Sequence, residues 1–303
     1  MSLEADLKKS REHEMLVYLN SMKSMYENAL LQNGEIYDIA AHLTDNFSRI
    51  TSQAILEDSR IIKILRYAIA PSISQMKFGQ FFGFTSIDKY ENDKLSSQTT
   101  KYNALSAIAQ EIAKFAIDNL DRKRFIWLKE KLSARERSLA TEYAKKWTCS
   151  IAADQNAQTR YRNWRKDQQE HAVASALIDI GYTKSGFCGI VSNNTDINLG
   201  EYTQEVKVQG RTKQKADLVV RSKRANKLVL IEAKTVGVEI DSTKRIKECC
   251  DKANDWRSSK SLDKPIVVAV IAGFFNSTGI HNLQASQIKV IWENRLTDLK
   301  RIL

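Results

Sequence analysis

A chain of 303 residues is long enough for two domains or one large one. With 43% hydrophobic and 27% charged residues it has the composition of a folded soluble protein, and its two Pro and eleven Gly exclude collagen-like or proline-rich material and weigh against a turn-dense β-sandwich. The net charge of +11 is uneven, with 22 basic against 19 acidic residues over 1–150 and 25 against 17 over 151–303, so a polyanionic partner is expected mainly at the C-terminal half. No apolar run is long enough for a membrane span, and the opening MSLEADLKKSREHEM lacks the apolar region of a signal peptide. None of Cys149, Cys188, Cys249 and Cys250 forms a CxxC pair, so a reduced, cytoplasmic chain without a zinc ribbon is expected.

Along the first half the apolar positions recur at helical spacing, in Leu16, Leu19, Met22, Met25 and Tyr26, then in Ile61, Ile62, Leu65 and Ile69. Ala70-Pro71 ends the second pattern, because Pro removes a backbone donor and restricts the residue before it. The aromatic stretch Phe78–Phe84 reads as helix packing, and helical spacing resumes over Tyr102–Leu120. Ser133 and Glu136 form a capping box that opens a helix over about 134–147. Another helix spans about 159–180 and stops at Gly181. Beyond it the period shortens, and strands are expected over 205–208, 216–220, 228–234, 266–272 and 288–292, with a helix over about 242–256. The expected architecture is α/β, a mixed sheet flanked by helices over 151–303, preceded by a mostly helical domain over 1–150.

The chemistry is concentrated in Leu228-Val-Leu-Ile-Glu-Ala-Lys234, an apolar run that ends in two charges. On a strand Glu232 and Lys234 share a face, and burying them is costly unless they are paired or bind a metal. The turn at 222–227 can fold the preceding strand back so that Asp217 comes within reach of Glu232. Two carboxylates on neighbouring strands suit Mg²⁺, and a lysine beside them can orient water or neutralise charge on a phosphate. A rival triplet, Glu205-Val-Lys207, lacks a long apolar run and reads as an outer strand.

This combination resembles the PD-(D/E)xK nuclease superfamily, and within it the XamI-like type II restriction endonucleases. The resemblance is carried by Ile64-Leu-Arg-Tyr-Ala-Ile-Ala-Pro71, Arg162-Asn163, Ala216-Asp217, Leu230-Ile-Glu-Ala-Lys234, Thr243-Lys244-Arg245, Ala272-Gly273-Phe274-Phe275 and Trp292-Glu293-Asn294-Arg295. Ala216 stands where the superfamily usually has Pro. The resemblance implies a restriction-endonuclease-like core and Mg²⁺-dependent hydrolysis of double-stranded DNA at a short palindrome by a homodimer. Asp217, Glu232 and Lys234 are the implied catalytic residues, with Asp217, Glu232 and Ala233 as the metal set. Related nucleases often add a helix carboxylate, and Glu170 is the choice here.

For DNA contacts the candidates are Arg211, Lys213, Gln214 and Lys215 in the basic hairpin, Thr243, Lys244, Arg245 and Lys247 on the helix after the Glu-x-Lys strand, and Arg162 and Arg165 on the long helix. The four histidines show no ligand spacing, and no GxxxxGK[ST] is present, so no nucleotide cofactor is expected. A structure-specific repair nuclease or junction resolvase, or a DNA-binding module with a decayed site, are the alternative readings of the same core.

Overall fold

The computed structural model describes residues 2–303. Helix α1 (Leu3–Leu43) is followed by α2 (Ser52–Glu57), α3 (Ile61–Ala68), α4 (Gln75–Phe81), α5 (Asp88–Asn92), α6 (Thr100–Asn119) and α7 (Ala134–Asp179). Then come β1 (Thr183–Lys184), β2 (Ile190–Val191), β3 (Glu201–Gln209), β4 (Lys213–Arg221), β5 (Leu228–Val236), α8 (Ser242–Arg257), β6 (Ile266–Gly273), α9 (Ser277–Ala285) and β7 (Lys289–Trp292). By its internal contacts the chain divides into two compact units, Met22–Arg160 and Met1–Ser21 with Tyr161–Leu303. A boundary near residue 150 is the expectation from sequence; the division falls instead within α1 and α7, and the first residues of α1 go with the sheet.

The Met22–Arg160 unit is helical. Leu105, Ala109, Ile112 and Ala116 place one face of α6 in its core, beside Ile55, Ile61, Ile64, Leu65 and Phe125. All eight residues of α3 are buried, Lys63 and Arg66 included. The Arg66 guanidinium pairs in two-pronged fashion with Glu91, with Nη2 2.9 Å from Oε2, and Nη1 donates to the Ile73 carbonyl. The block Ile64–Pro71 is therefore structural. Phe78 packs on Phe82 and Phe115, at centroid distances of 4.7 and 6.2 Å, as the aromatic stretch suggests. The capping box forms, with the Ser133 N–H donating to Glu136 at 2.9 Å and the Glu136 N–H to Ser133 Oγ at 3.3 Å. The helix it opens does not stop near 147. Residues 148–158 contain no Gly or Pro and bury Thr148, Ala152, Ala153 and Ala157, so the two expected helices are the single helix α7.

The second unit carries one sheet in the order β1-β3-β4-β5-β6-β7, with β2 also pairing β3. Strands β3, β4 and β5 form an antiparallel meander, and β6 and β7 continue parallel to β5. The alternation along β5 feeds two cores. Val229 and Ile231 meet Val173 and Leu177 of α7, whereas Leu228 and Leu230 share a cluster with Ile246, Ala253 and Trp256 of α8. As expected, β5 is internal. The outer-strand expectation for β3 is corrected: β1 and β2 cover its other edge, and strands of two residues leave no alternation to read. Helix α9 also escapes the periodicity, although its cap is a local signal: the Gly279 N–H donates to Asn276 Oδ1 at 2.7 Å. At the end of β6, Gly273 has φ +92, and a Cβ there would lie 2.2 Å from the Val236 carbonyl oxygen. Ser10 ties α1 to the same residue, its Oγ donating to the Gly273 carbonyl at 3.1 Å and accepting from the Gly273 N–H at 2.9 Å.

Candidate active site

The site lies where the sheet forks. Strands β4 and β5 pair from Arg221↔Leu228 to Leu218↔Ile231, and the next opposed residues, Asp217 and Glu232, are no longer joined by the ladder. Meanwhile β4 remains paired to β3, and β5 to β6 through Lys234 and beyond. A buried backbone N–H that loses its ladder partner needs another acceptor. Asp217 supplies it, its Oδ2 accepting from the Ala233 N–H at 2.8 Å. This contact fixes one carboxylate against the Glu-x-Lys strand and explains why an aspartate can be 5% exposed at this position.

Glu232 is fully buried, and its two oxygens meet two ammonium groups. Lys234 Nζ donates to Oε2 at 2.5 Å and lies 3.5 Å from Asp217 Oδ2. Lys252, on α8, donates to both oxygens at 2.9 Å and to the Lys215 carbonyl at 2.7 Å. Burial by itself would lower the pKa of Lys234, but Glu232 and then Asp217 outweigh it and hold the ammonium above the ordinary lysine range. Cys249, packed beneath the same strand, has its thiol pushed up to about 12 by burial and then by Glu232.

On the other side of Asp217 stand Glu170 of α7 and Glu205 of β3; one oxygen from each of the three lies within 4.8 Å of the others. The neighbouring Gln169 sets the position of α7, donating to the Val270 carbonyl at 3.2 Å and accepting from Thr235 Oγ1 at 2.9 Å. Glu170 is 7% exposed, and its solvent-shielded Oε1 accepts no hydrogen bond, although Lys166 Nζ stands 3.3 Å away. Burial, and then Asp217, raise its pKa. Glu205 falls where the β3–β4 register skips a pair, between Gln204↔Leu218 and Val206↔Ala216, and has φ +57, a conformation that a non-glycine strand residue rarely adopts. Like charges opposed across a ladder repel; here Lys215 and Lys166 pair with Glu205. The rival triplet is thus split. Its glutamate joins the carboxylates around Asp217, while Lys207 is exposed.

The family model of the XamI restriction endonuclease matches residues 45–292. The chain belongs to the XamI restriction endonuclease family. Its general kind of fold is that of the PD-(D/E)xK superfamily. No curated protein sequence matches the chain. Among solved structures, the crystal structure of protein VC1899 from Vibrio cholerae is similar to 92% of this chain and 55% of that one, at 12% identity and a TM-score of 0.27. The chain therefore spans about half the length of that protein.

Most of the family member's candidate DNA contacts lie on the surface of the sheet unit. Arg211, Lys213 and Lys215 are exposed and Gln214 is half-buried, its amide donating to Thr212 Oγ1 at 2.9 Å. Their hairpin is latched to α8, because the Thr212 N–H and hydroxyl donate to Asp255 Oδ1 at 2.9 and 3.1 Å. Only glycine fits at 210, where a Cβ would lie 2.1 Å from Asp255 Oδ2. Thr243, Lys244, Arg245 and Lys247 line the exposed face of α8, with Arg245 held 2.9 Å from Glu248. Arg162 is exposed. Arg165 is a correction to the expected DNA set. Its side chain is 4% exposed, and its guanidinium spans Glu14 and Glu293, at 2.9 Å from Glu14 Oε2 and 2.8 Å from Glu293 Oε1. With Glu14 buried and Glu293 half-buried alongside it, it fastens α7 to α1 and to the segment after β7. Lys252 is the residue that the sequence reading misses; it looks like one more cation on a basic helix, and only the packing of α8 against β5 brings it to Glu232. No described helix is long and apolar enough to cross a membrane.

Proposed function

We propose that this XamI family member is a type II restriction endonuclease: a homodimer that hydrolyses phosphodiester bonds of double-stranded DNA at a short palindrome, with Mg²⁺ as cofactor. The observation that carries the proposal is the buried cluster of Asp217, Glu232 and Lys234 at the fork between β4 and β5. One oxygen each of Glu170, Glu205 and Asp217 lie within 4.8 Å of one another, Lys234 joins Asp217 to Glu232, and one buried oxygen of Glu170 lacks a hydrogen bond, so the donor set fits a hard divalent ion. Asp217 and Glu232 would hold it, Ala233 could add only its backbone carbonyl, and Glu170 and Glu205 would complete the acidic surround. When bound, the ion supplies a more acidic water and charge neutralisation at the phosphate.

The protein's own residues do the rest. The Asp217–Ala233 contact keeps the carboxylate against β5 without side-chain rearrangement. Lys234, kept charged by its two carboxylates, orients the attacking water and stabilises negative charge on the phosphate. The exposed cations of the 209–215 hairpin and of α8 hold the DNA backbone, and the hairpin, latched at Asp255, carries the side chains suited to reading bases. A palindrome has a two-fold axis, so symmetric cutting of both strands uses two copies of the site. Incubation with phage DNA and Mg²⁺, followed by sequencing of fragment ends, tests the proposal. Discrete fragments sharing one palindromic motif are expected, with two chains per duplex by light scattering. A smear, or preferential cutting of branched DNA, would refute it.

A further inference from the structure

We infer that Lys252 is an internal competitor of the metal ion at Glu232: its ammonium occupies the carboxylate in the metal-free protein and must leave before Glu232 can serve as a ligand. The inference rests on the metal-dependent reading of the site. Glu232 is fully buried, Lys252 bonds both of its oxygens at 2.9 Å, and Lys234 bonds Oε2 at 2.5 Å. A carboxylate already held by two ammonium groups has no room for a divalent cation, whose charge would repel both at contact distance. Of the two, Lys252 is the one free to go. Lys234 stands on the same strand as Glu232 and is also held by Asp217, 3.5 Å away. Lys252 comes from α8, its remaining hydrogen bond is to the neutral Lys215 carbonyl, and its side chain is 22% exposed against 15% for Lys234.

The arrangement serves two ends. Without metal, a second ammonium offsets the cost of a buried carboxylate and keeps the β4–β5 fork folded. With metal, Lys252 is released beside the exposed Lys215, adding a cation to the face where the phosphate arrives. The metal affinity of the free protein is accordingly set below what its carboxylates alone would give.

The test is a Mn²⁺ titration of the full chain without DNA, followed by electron paramagnetic resonance, with melting curves taken in the absence of metal and at Mn²⁺ saturation. Lys252→Met keeps the stem and removes the charge; it should bind Mn²⁺ roughly tenfold or more tightly than the wild type, the scale of one charge-assisted hydrogen bond. Its metal-free melting temperature should fall, and the rise on saturation should exceed that of the wild type. Lys252→Gln, which retains a neutral donor, should also tighten binding, and Lys252→Arg should return it towards the wild-type value. Lys289→Met, on an exposed residue of β7, controls for loss of net charge and should change nothing. Affinity equal to or weaker than wild type in both Lys252→Met and Lys252→Gln overturns the inference. If the wild type binds Mn²⁺ and Asp217→Ala does not, that failure is confined to Lys252. If the wild type binds no Mn²⁺ at all, the metal-dependent reading falls with it.

Discussion

Replacing Lys234 by alanine should silence cleavage while leaving DNA binding in place. The ammonium lies 2.5 Å from Glu232 Oε2 and 3.5 Å from Asp217 Oδ2, with 15% of its side chain exposed, so its charge is fixed and poorly screened. A preorganised charge of this kind is worth about 10²–10³ in rate, roughly 3–4 kcal/mol. Removing one partner of a buried ion pair often costs about 3–5 kcal/mol of stability. Here the loss should be smaller, because Lys252 still holds both Glu232 oxygens and the Ala233 N–H still holds Asp217. The variant should therefore fold. Single-turnover cleavage at saturating enzyme isolates the chemical step, and a mobility-shift titration in Ca²⁺ measures binding, most of which comes from phosphate contacts elsewhere. Cleavage within about threefold of wild type would refute the role assigned to Lys234, whatever the stability.

Glu205→Gln should weaken Mn²⁺ binding and slow cleavage by about tenfold or more, because Glu205 faces Asp217 and Glu170; unchanged metal affinity in a titration would remove it from the site. Arg165→Met should cost about 3–5 kcal/mol in denaturant unfolding by stranding Glu14 and Glu293, yet leave the salt dependence of DNA binding unaltered; a shallower salt slope would return Arg165 to the DNA interface. Lys244→Ala and Arg245→Ala should each reduce the log–log salt slope by about 0.9 and weaken all DNA sequences alike, as measured by fluorescence anisotropy. Burial opposes ionisation of Asp58, but the Arg60 hydrogen bonds outweigh it and lower the pKa. A lowered carboxylate pKa contributes stability that is present above the ordinary aspartate value and lost as pH falls through the folded one. The helical unit should thus lose stability below about pH 4, and Asp58→Asn should flatten that dependence in acid titrations followed by circular dichroism.

The parts of the site that depend on one strand were legible in the sequence. Leu228–Lys234 announces a buried strand whose last two charges share a face, and the meander that brings Asp217 near Glu232 follows from a short polar turn. Glu170 could be nominated from the resemblance, because related nucleases often add a helix carboxylate. Glu205 could not, since its part depends on φ +57 at one residue and on its register against Asp217, neither of which leaves a mark in the hydrophobic pattern. Arg165 was misplaced for a related reason: a basic residue reads the same in sequence whether it meets solvent or two glutamates of the fold.

The charges at the fork account for how so many carboxylates stay folded together. Asp217, Glu232, Glu170 and Glu205 face Lys234, Lys252, Lys166 and Lys215, so each carboxylate has an ammonium neighbour. On the proposed function, a divalent ion entering among the carboxylates would make some of these lysines superfluous there, and an incoming phosphate would supply the negative charge that they then need. Lys166 and Lys215, with side chains 55% and 47% exposed, can turn outward as readily as they turn in. Metal and DNA should therefore bind cooperatively at this site, each making good the imbalance that the other creates.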